Sequence, residues 1–118
     1  MEITAASAAF AALAHDGRLA IYRLLVEAGP NGLPVGDIAA TLEMPDSTLS
    51  FHLGQLRRAG LVRASRKGRR LIQTTDFEQM NGLIGYLTEN CCGGKSCAPV
   101  SKPAGSRANP NKRRGGRG

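Results

Sequence analysis

The run VGDIAATLEMPDSTLSFHLGQLRRAGL, residues 35–61, decides the fold. Val35, Ile38, Ala39 and Leu42 recur at spacings of three and four, as one face of a helix does. Met44-Pro45 breaks the pattern, and Leu49, Leu53 and Leu56 resume it at i, i+4 and i+7. Two short helices across such a break read as a helix-turn-helix. Pro45 presets φ for the first turn of the second helix, and Asp46 favours its positive end. With the leucines turned inward, the helical wheel points Ser47, Phe51, Gly54 and Arg58 outward, flanked by Thr48, His52 and Gln55. Short hydrogen-bonding side chains at the helix start suit base edges in a major groove about 12 Å wide. Candidate DNA contacts are therefore Ser47, Thr48, Ser50, Phe51, His52 and Gln55. The outward Phe51 suits a thymine methyl, whereas His52, near the edge of the core face, suits packing or a phosphate bond as well as a base. An ordinary αα-hairpin has the same periodicity, so the flanking sequence must separate the two.

Downstream, Leu61 to Ser65 and Leu71 to Thr74 are short β-prone runs around Arg66-Lys67-Gly68-Arg69-Arg70, with Gly68 at the turn. They read as a β-hairpin wing whose Arg66, Lys67 and Arg69 meet phosphates or the minor groove. Ser47 to Thr75 holds seven basic residues and no acid, an electrostatic footprint for a polyanion. Ser47-Thr48-Leu49-Ser50-Phe51-His52-Leu53, continued by Leu56-Arg57-Arg58-Ala59-Gly60-Leu61-Val62, resembles the recognition helix and strand entry of the arsenic- and metal-responsive ArsR/SmtB repressors. The resemblance runs from about Ala11 to about Asn90. It implies a mainly α winged helix-turn-helix with a small β-hairpin, homodimeric through its first and last helices, that binds operator DNA.

Upstream, Ile3 to Ala14 is Ala-rich, with Phe10 and Leu13 on one side. The interruption His15-Asp16-Gly17 offers Asp16 as a cap, and Leu19, Tyr22, Leu25 and Val26 form the stripe of the next helix. His15 reads as structural or solvent-facing, and Arg18 stands where the family keeps an arginine. Asn31-Gly32 reads as a loop and Pro34 as a first helical turn. At the other end, Thr75-x-x-Glu78 reads as a capping box, with Phe77, Met80, Ile84, Leu87 and Cys91 along one face of a last helix that runs to the cysteines. Gly82 and Gly85 weaken a helix unless close approach of a partner helix compensates. These features divide the chain into a DNA-binding and dimerisation domain, residues 1–92, and a cysteine-bearing loop with a basic tail, residues 93–118.

The chain has 118 residues and a net charge of +7. Its length fits one domain with a small core, of the kind that gains stability by dimerising. Residues 1–92 carry nine basic and nine acidic side chains, so the excess charge lies in the tail. Beyond Ala98 the chain has almost no apolar content and is expected to be disordered. Its basic end either attracts nucleic acid without specificity or is simply solvated. No run approaches the roughly 20 apolar residues of a membrane span, and the first 14 residues lack the pattern of a secretory signal. The expected location is cytoplasmic, with thiols reduced.

All three cysteines fall within Cys91-Cys92-Gly93-Gly94-Lys95-Ser96-Cys97. Adjacent cysteines on a helix point about 100° apart, so both reach one atom only if the helix end unwinds. Gly93-Gly94 supply that freedom and return Cys97, and Lys95 favours thiolate. Three thiolates without a histidine or carboxylate make a soft three-coordinate site, whereas structural zinc takes four ligands. Trivalent arsenic or antimony fits, and redox sensing or another thiophilic metal remains open. The cluster also looks like that of the arsenite-responsive subset of the family, with vicinal cysteines at the end of the last helix. The metal sites of better-known relatives are absent: Pro34 and Gly36 occupy the Cys-x-Cys positions, and no histidine follows His52.

The resulting expectation is a repressor that needs no constitutive cofactor and leaves operator DNA when Cys91, Cys92 and Cys97 bind the metalloid. A constitutive architectural nucleic-acid binder would use the basic tail but leave the cysteines idle. A thiol enzyme would need a base near Cys91 or Cys97, and His15 and His52 lie far off in sequence.

Overall fold

The computed structural model describes residues 1–94. Met1–Leu87 form one compact unit; Thr88–Gly118 form a second, of which residues 88–94 are described. The α-helices are α1 (Ile3–Leu13), α2 (Asp16–Ala28), α3 (Val35–Leu42), α4 (Asp46–Arg58) and α5 (Phe77–Thr88), all in the first unit but for the last residue of α5. The strands are β1 (Leu33–Pro34), β2 (Val62–Lys67) and β3 (Arg70–Thr75). They form an antiparallel sheet in the order β1-β3-β2. The architecture is the expected winged helix-turn-helix, mainly α with a small sheet. Among the described residues no helix is long and apolar enough to cross a membrane.

The core is built where helical stripes converge. Leu49, Leu53 and Leu56 of α4 are fully or almost fully buried, as their spacing predicts, against Ile38 of α3 and Ile21 and Leu25 of α2. Each such side chain contributes about 1.5 to 3 kcal/mol of burial. The α1 face that packs inward is Ala6, Ala9 and Ala12, not the side carrying Phe10, which stays exposed. Methyl-sized side chains let another helix approach closely, so the alanine face wins the interior. On α2 the stripe is shifted: Ile21 is buried and Leu19 exposed, contrary to the expectation for Leu19. The start of α2 differs too. The His15 side chain, not Asp16, accepts from the Gly17 backbone N–H at 3.0 Å and caps the helix.

Two further boundaries differ from the sequence reading. Pro34 lies in β1 and precedes α3 rather than sitting in its first turn. β1 pairs Leu33 with Gln73 and Pro34 with Ile72. Gly32, at φ 66°, lies so close to the Gln73 carbonyl that a Cβ there would collide with it. The cap of α5 is Asp76, whose Oδ1 accepts from the Gln79 backbone N–H at 3.0 Å and whose Oδ2 meets Arg63 Nε at 3.1 Å. The Gln79 N–H, with help from Arg63, holds the Asp76 carboxyl below its usual pKa despite partial burial. Thr75, expected to open a capping box, is instead buried, and its hydroxyl has no hydrogen-bond partner. The buried Tyr22 hydroxyl also lacks one, and burial, reinforced by the Asp76 charge, pushes its pKa up to about 12.

Candidate nucleic-acid interface and thiol cluster

The turn between α3 and α4 is three residues long. Glu43 ends α3 in the left-handed region at φ 52°, and Pro45 caps α4 from φ −60° without a side-chain hydrogen bond. Pro45 therefore precedes the first turn it was expected to occupy, while Asp46 stands in that turn. Burying the leucines leaves Ser47, Thr48, Ser50 and Phe51 exposed and Gln55 half-buried. Phe51 is 57% exposed, the cost of placing an aromatic ring opposite the leucine stripe.

His52 does not join that face. It is 7% exposed, its Nδ1 lies 3.3 Å from Arg18 Nη1, and its ring stands 4.7 Å from that of His15. Its candidacy as a base contact is thus corrected: the wheel put it at the edge of the core, and α2 closes over that edge. Burial first, then the neighbouring His15 and Arg18, lowers its pKa. Gly54, predicted outward, is buried as well, because the Arg58 guanidinium folds to within 3.4 Å of where its Cβ would be.

The wing is longer than the β-prone runs suggest. β2 and β3 stay paired from Val62↔Thr75 to Lys67↔Arg70, leaving Gly68-Arg69 as a two-residue turn with Gly68 at φ 65°. Arg66, Lys67 and Arg69 are exposed there and form no ion pair with the described residues. The basic segment is not all footprint, however. Arg57 donates to Gln73 Oε1 at 3.2 Å, Arg63 is held by Asp76, and Arg70 lies 3.9 Å from Asp37. Those three tie α4, β2 and β3 to their neighbours, and the tip keeps the charge turned to solvent.

In the second unit the cysteines lie beyond the last helix. α5 ends at Thr88, and Cys91–Gly94 form a separate 3₁₀ turn entered through Asn90 at φ 56°. The expectation that Cys91 continues the α5 stripe is corrected accordingly: α5 stops at Thr88, and the left-handed Asn90 turns the chain before the cysteines. Cys92 adopts φ 58°, ψ 34°, which brings its Sγ to 3.5 Å from that of Cys91, both side chains exposed. Among the described residues no group of three His, Cys, Asp or Glu side chains converges. Cys97, the third candidate ligand, and the basic tail lie outside the described residues.

The comparisons with known proteins bear on this geometry. A helix-turn-helix domain model matches residues 13–64, from the end of α1 into β2. The transcriptional activator HlyU of Vibrio cholerae is 33% identical over 81 residues, 69% of this chain and 72% of that protein. Its solved structure superposes with a TM-score of 0.61 at 32% identity, covering 78% of this chain and 99% of that one. An ArsR-like transcriptional regulator from Rhodococcus sp. RHA1 gives a TM-score of 0.62 at 25% identity over 71% of this chain and 76% of its own. The chain belongs to the ArsR/SmtB family of winged-helix regulators. A further neighbour, the homodimeric winged helix-turn-helix DNA-binding domain Mb0332 of Mycobacterium bovis, gives a TM-score of 0.59 at 25% identity over 82% of this chain and 90% of its own. As an ArsR/SmtB protein of this kind, the chain is a DNA-binding transcriptional regulator.

Sequence reasoning missed how Arg18 is used. It stands in the first turn of α2, with Nε donating to the Ala12 carbonyl at 2.6 Å and Nη1 reaching His52. The family arginine was visible as a position, but its two partners come from α1 and α4, and no spacing within α2 reveals them.

Proposed function

We propose that the protein is a homodimeric repressor that leaves its operator when trivalent arsenic or antimony is gathered by Cys91, Cys92 and Cys97. The observation that carries this reading is the 3.5 Å between the two vicinal sulfurs. With a metal–sulfur bond of about 2.3 Å, that separation subtends roughly 100° at a shared atom, close to the angle of a pyramidal site. A helical Cys-Cys pair could not offer it, and here the left-handed Cys92 does. Three thiolates satisfy a trivalent metalloid with its lone pair, while structural zinc would require a fourth ligand.

Dimerisation would use α1 and α5. Ile3, Phe10, Ile84 and Leu87 leave large apolar side chains exposed on these two helices, and Met1 lies against Gly82 at the start of that surface. The Mycobacterium bovis neighbour is homodimeric, which supports dimerisation itself. Two α4 helices must then meet successive major grooves about 34 Å apart, with Ser47, Thr48, Ser50, Phe51 and Gln55 toward bases and Arg66, Lys67 and Arg69 toward phosphates. The thiol segment directly continues α5 in sequence. Closing it around one atom is therefore coupled in free energy to the spacing of the recognition helices.

A second reading, thiol redox sensing, is favoured by one observation: HlyU of Vibrio cholerae has been solved in a form described as reduced, 31% identical, with a TM-score of 0.60 over 75% of this chain and 90% of that one. One titration separates the two. The reduced full-length protein is bound to fluorescent DNA from its own upstream region and challenged, at fixed salt, with arsenite, zinc and a thiol oxidant. Arsenite alone should release it, and Cys91→Ser, Cys92→Ser and Cys97→Ser should each abolish release. Release by oxidant alone selects the redox reading. A triple serine variant that still responds to arsenite ends the metalloid proposal.

A further inference from the structure

The chain contains two histidines, 37 residues apart in sequence, and the fold sets their rings 4.7 Å apart at 48°. Each has Nδ1 committed as an acceptor. His15 Nδ1 takes the Gly17 backbone N–H at 3.0 Å, and His52 Nδ1 faces Arg18 Nη1 at 3.3 Å. A guanidinium has only donors, so the His52 Nδ1 in that contact carries a lone pair and the ring proton is on Nε2. The other edge of the same guanidinium donates through Nε to the Ala12 carbonyl in the last turn of α1. Arg18 thus spans from the carbonyl end of α1 to the middle of α4, and its charge also complements that helix end.

We propose that Arg18 and His52 are positioning residues, forming a strut that sets the recognition helix against α1, and that the strut holds only while His52 is neutral. This rests on the DNA-binding role of α4 and is independent of the cysteines. Protonating Nδ1 would turn donor against donor and place an imidazolium 3.3 Å from a guanidinium. The surroundings offer little relief. The last turn of α1 contributes only uncharged side chains. The start of α2 contributes His15, Arg18 and the exposed Asp16, and the α2 backbone closes over the ring, with the position of a Cβ on Gly17 standing 3.1 Å from His52 Nε2. On α4 the ring of Phe51 lies 5.8 Å away, and the nearest charged side chains in sequence are Asp46, Arg57 and Arg58. The lowered His52 pKa agrees with this environment. To take a proton, His52 must let go of Arg18, and α4 loses its brace to α1.

The sign of the effect distinguishes it from general electrostatics. Adding positive charge to a DNA-binding protein strengthens its hold on phosphates, whereas the strut makes acidification weaken it. DNA affinity of the full chain is measured at fixed ionic strength between about pH 5 and pH 8. Below the His52 pKa it should fall by up to about tenfold per pH unit for each linked proton, hence up to about a hundredfold per pH unit for a dimer with two His52 side chains. His52→Asn offers an amide oxygen in place of Nδ1 and cannot titrate. Its DNA affinity, whatever its level at neutral pH, should stay flat across this range. His15→Asn keeps a helix-capping side chain and should retain the fall in acid, displaced toward higher pH because the His15 charge no longer opposes protonation of His52. A His52→Asn protein with the wild-type profile, or wild-type affinity rising steadily toward acid, overturns the proposal. Nitrogen NMR of the histidine rings in the DNA-free protein tests the strut apart from DNA binding and from the folding of any variant. The Nε2–H tautomer is expected at His52, and the Nδ1–H tautomer overturns it.

Discussion

Replacing Lys67 by alanine tests the assignment of the wing to phosphate contact. Lys67 closes the hairpin opposite Arg70, is exposed, and forms no ion pair with the described residues. Its removal should therefore leave folding unchanged and act only through DNA. Each phosphate contact contributes about 0.9 to the slope of log affinity against log salt. A dimer brings two wings to one operator, so Lys67→Ala should flatten the slope by about 1.8. Across a fourfold rise in salt the wild type should then lose roughly 12-fold more affinity than the variant. Anisotropy titrations on the operator and on an unrelated duplex, each at several salt concentrations, measure both slopes, and the loss should be nearly the same on the two DNAs. Arg63→Gln is the internal control: Arg63 is occupied by Asp76 at 3.1 Å, so the slope should stay. An unchanged slope for Lys67→Ala, or a loss confined to the operator, would refute the phosphate assignment.

Other expectations follow from the packing and the caps. Phe51→Ala should lower preference for T·A pairs at the operator positions facing α4, and identical preference at every such position removes the thymine-methyl contact. Leu53→Ala, at a nearly fully buried site, should cost about 2 to 5 kcal/mol in chemical unfolding. Asp76→Ala should cost about 0.5 to 2 kcal/mol, whereas Thr75→Val, which removes a buried hydroxyl without a partner, should be neutral or stabilising; the reverse order would restore Thr75 as the cap. Because the folded Asp76 pKa is depressed, its contribution is complete above the ordinary carboxylate pKa of about 3.9 and is lost as pH falls through the folded value. The stability gap between wild type and Asp76→Ala should therefore hold at neutral pH and close in acid.

Much of this was legible in the chain because periodicity reports burial directly. The leucines at 49, 53 and 56 had to share a face, and that choice by itself exposed Ser47, Thr48, Ser50 and Phe51. Gly68 between two β-prone runs marked the wing. His52 was harder to read. It lies on the boundary of the leucine face, where one residue of α2 decides between solvent and core, and Arg18 with His15 turns it inward. The capping residues were misplaced by one at both His15 and Asp76, since neighbouring polar side chains compete for the same N–H groups and only the path of the backbone selects among them. β1 was invisible for a related reason: two residues carry no periodicity, and their pairing exists only because β3 passes alongside.

The amino-acid sequence by itself determined the helix-turn-helix, the wing, the exposed recognition face and the clustering of the cysteines, all of which follow from local spacing and backbone preference. The tertiary structure alone decided which basic side chains remain available, because Arg57, Arg63 and Arg70 find partners on other elements while Arg66, Lys67 and Arg69 do not. It also decided that α1 packs through its alanines and that the two histidines and Arg18 meet. Contacts between residues distant in the chain depend on how whole helices lie against one another, and no spacing along a single helix encodes that.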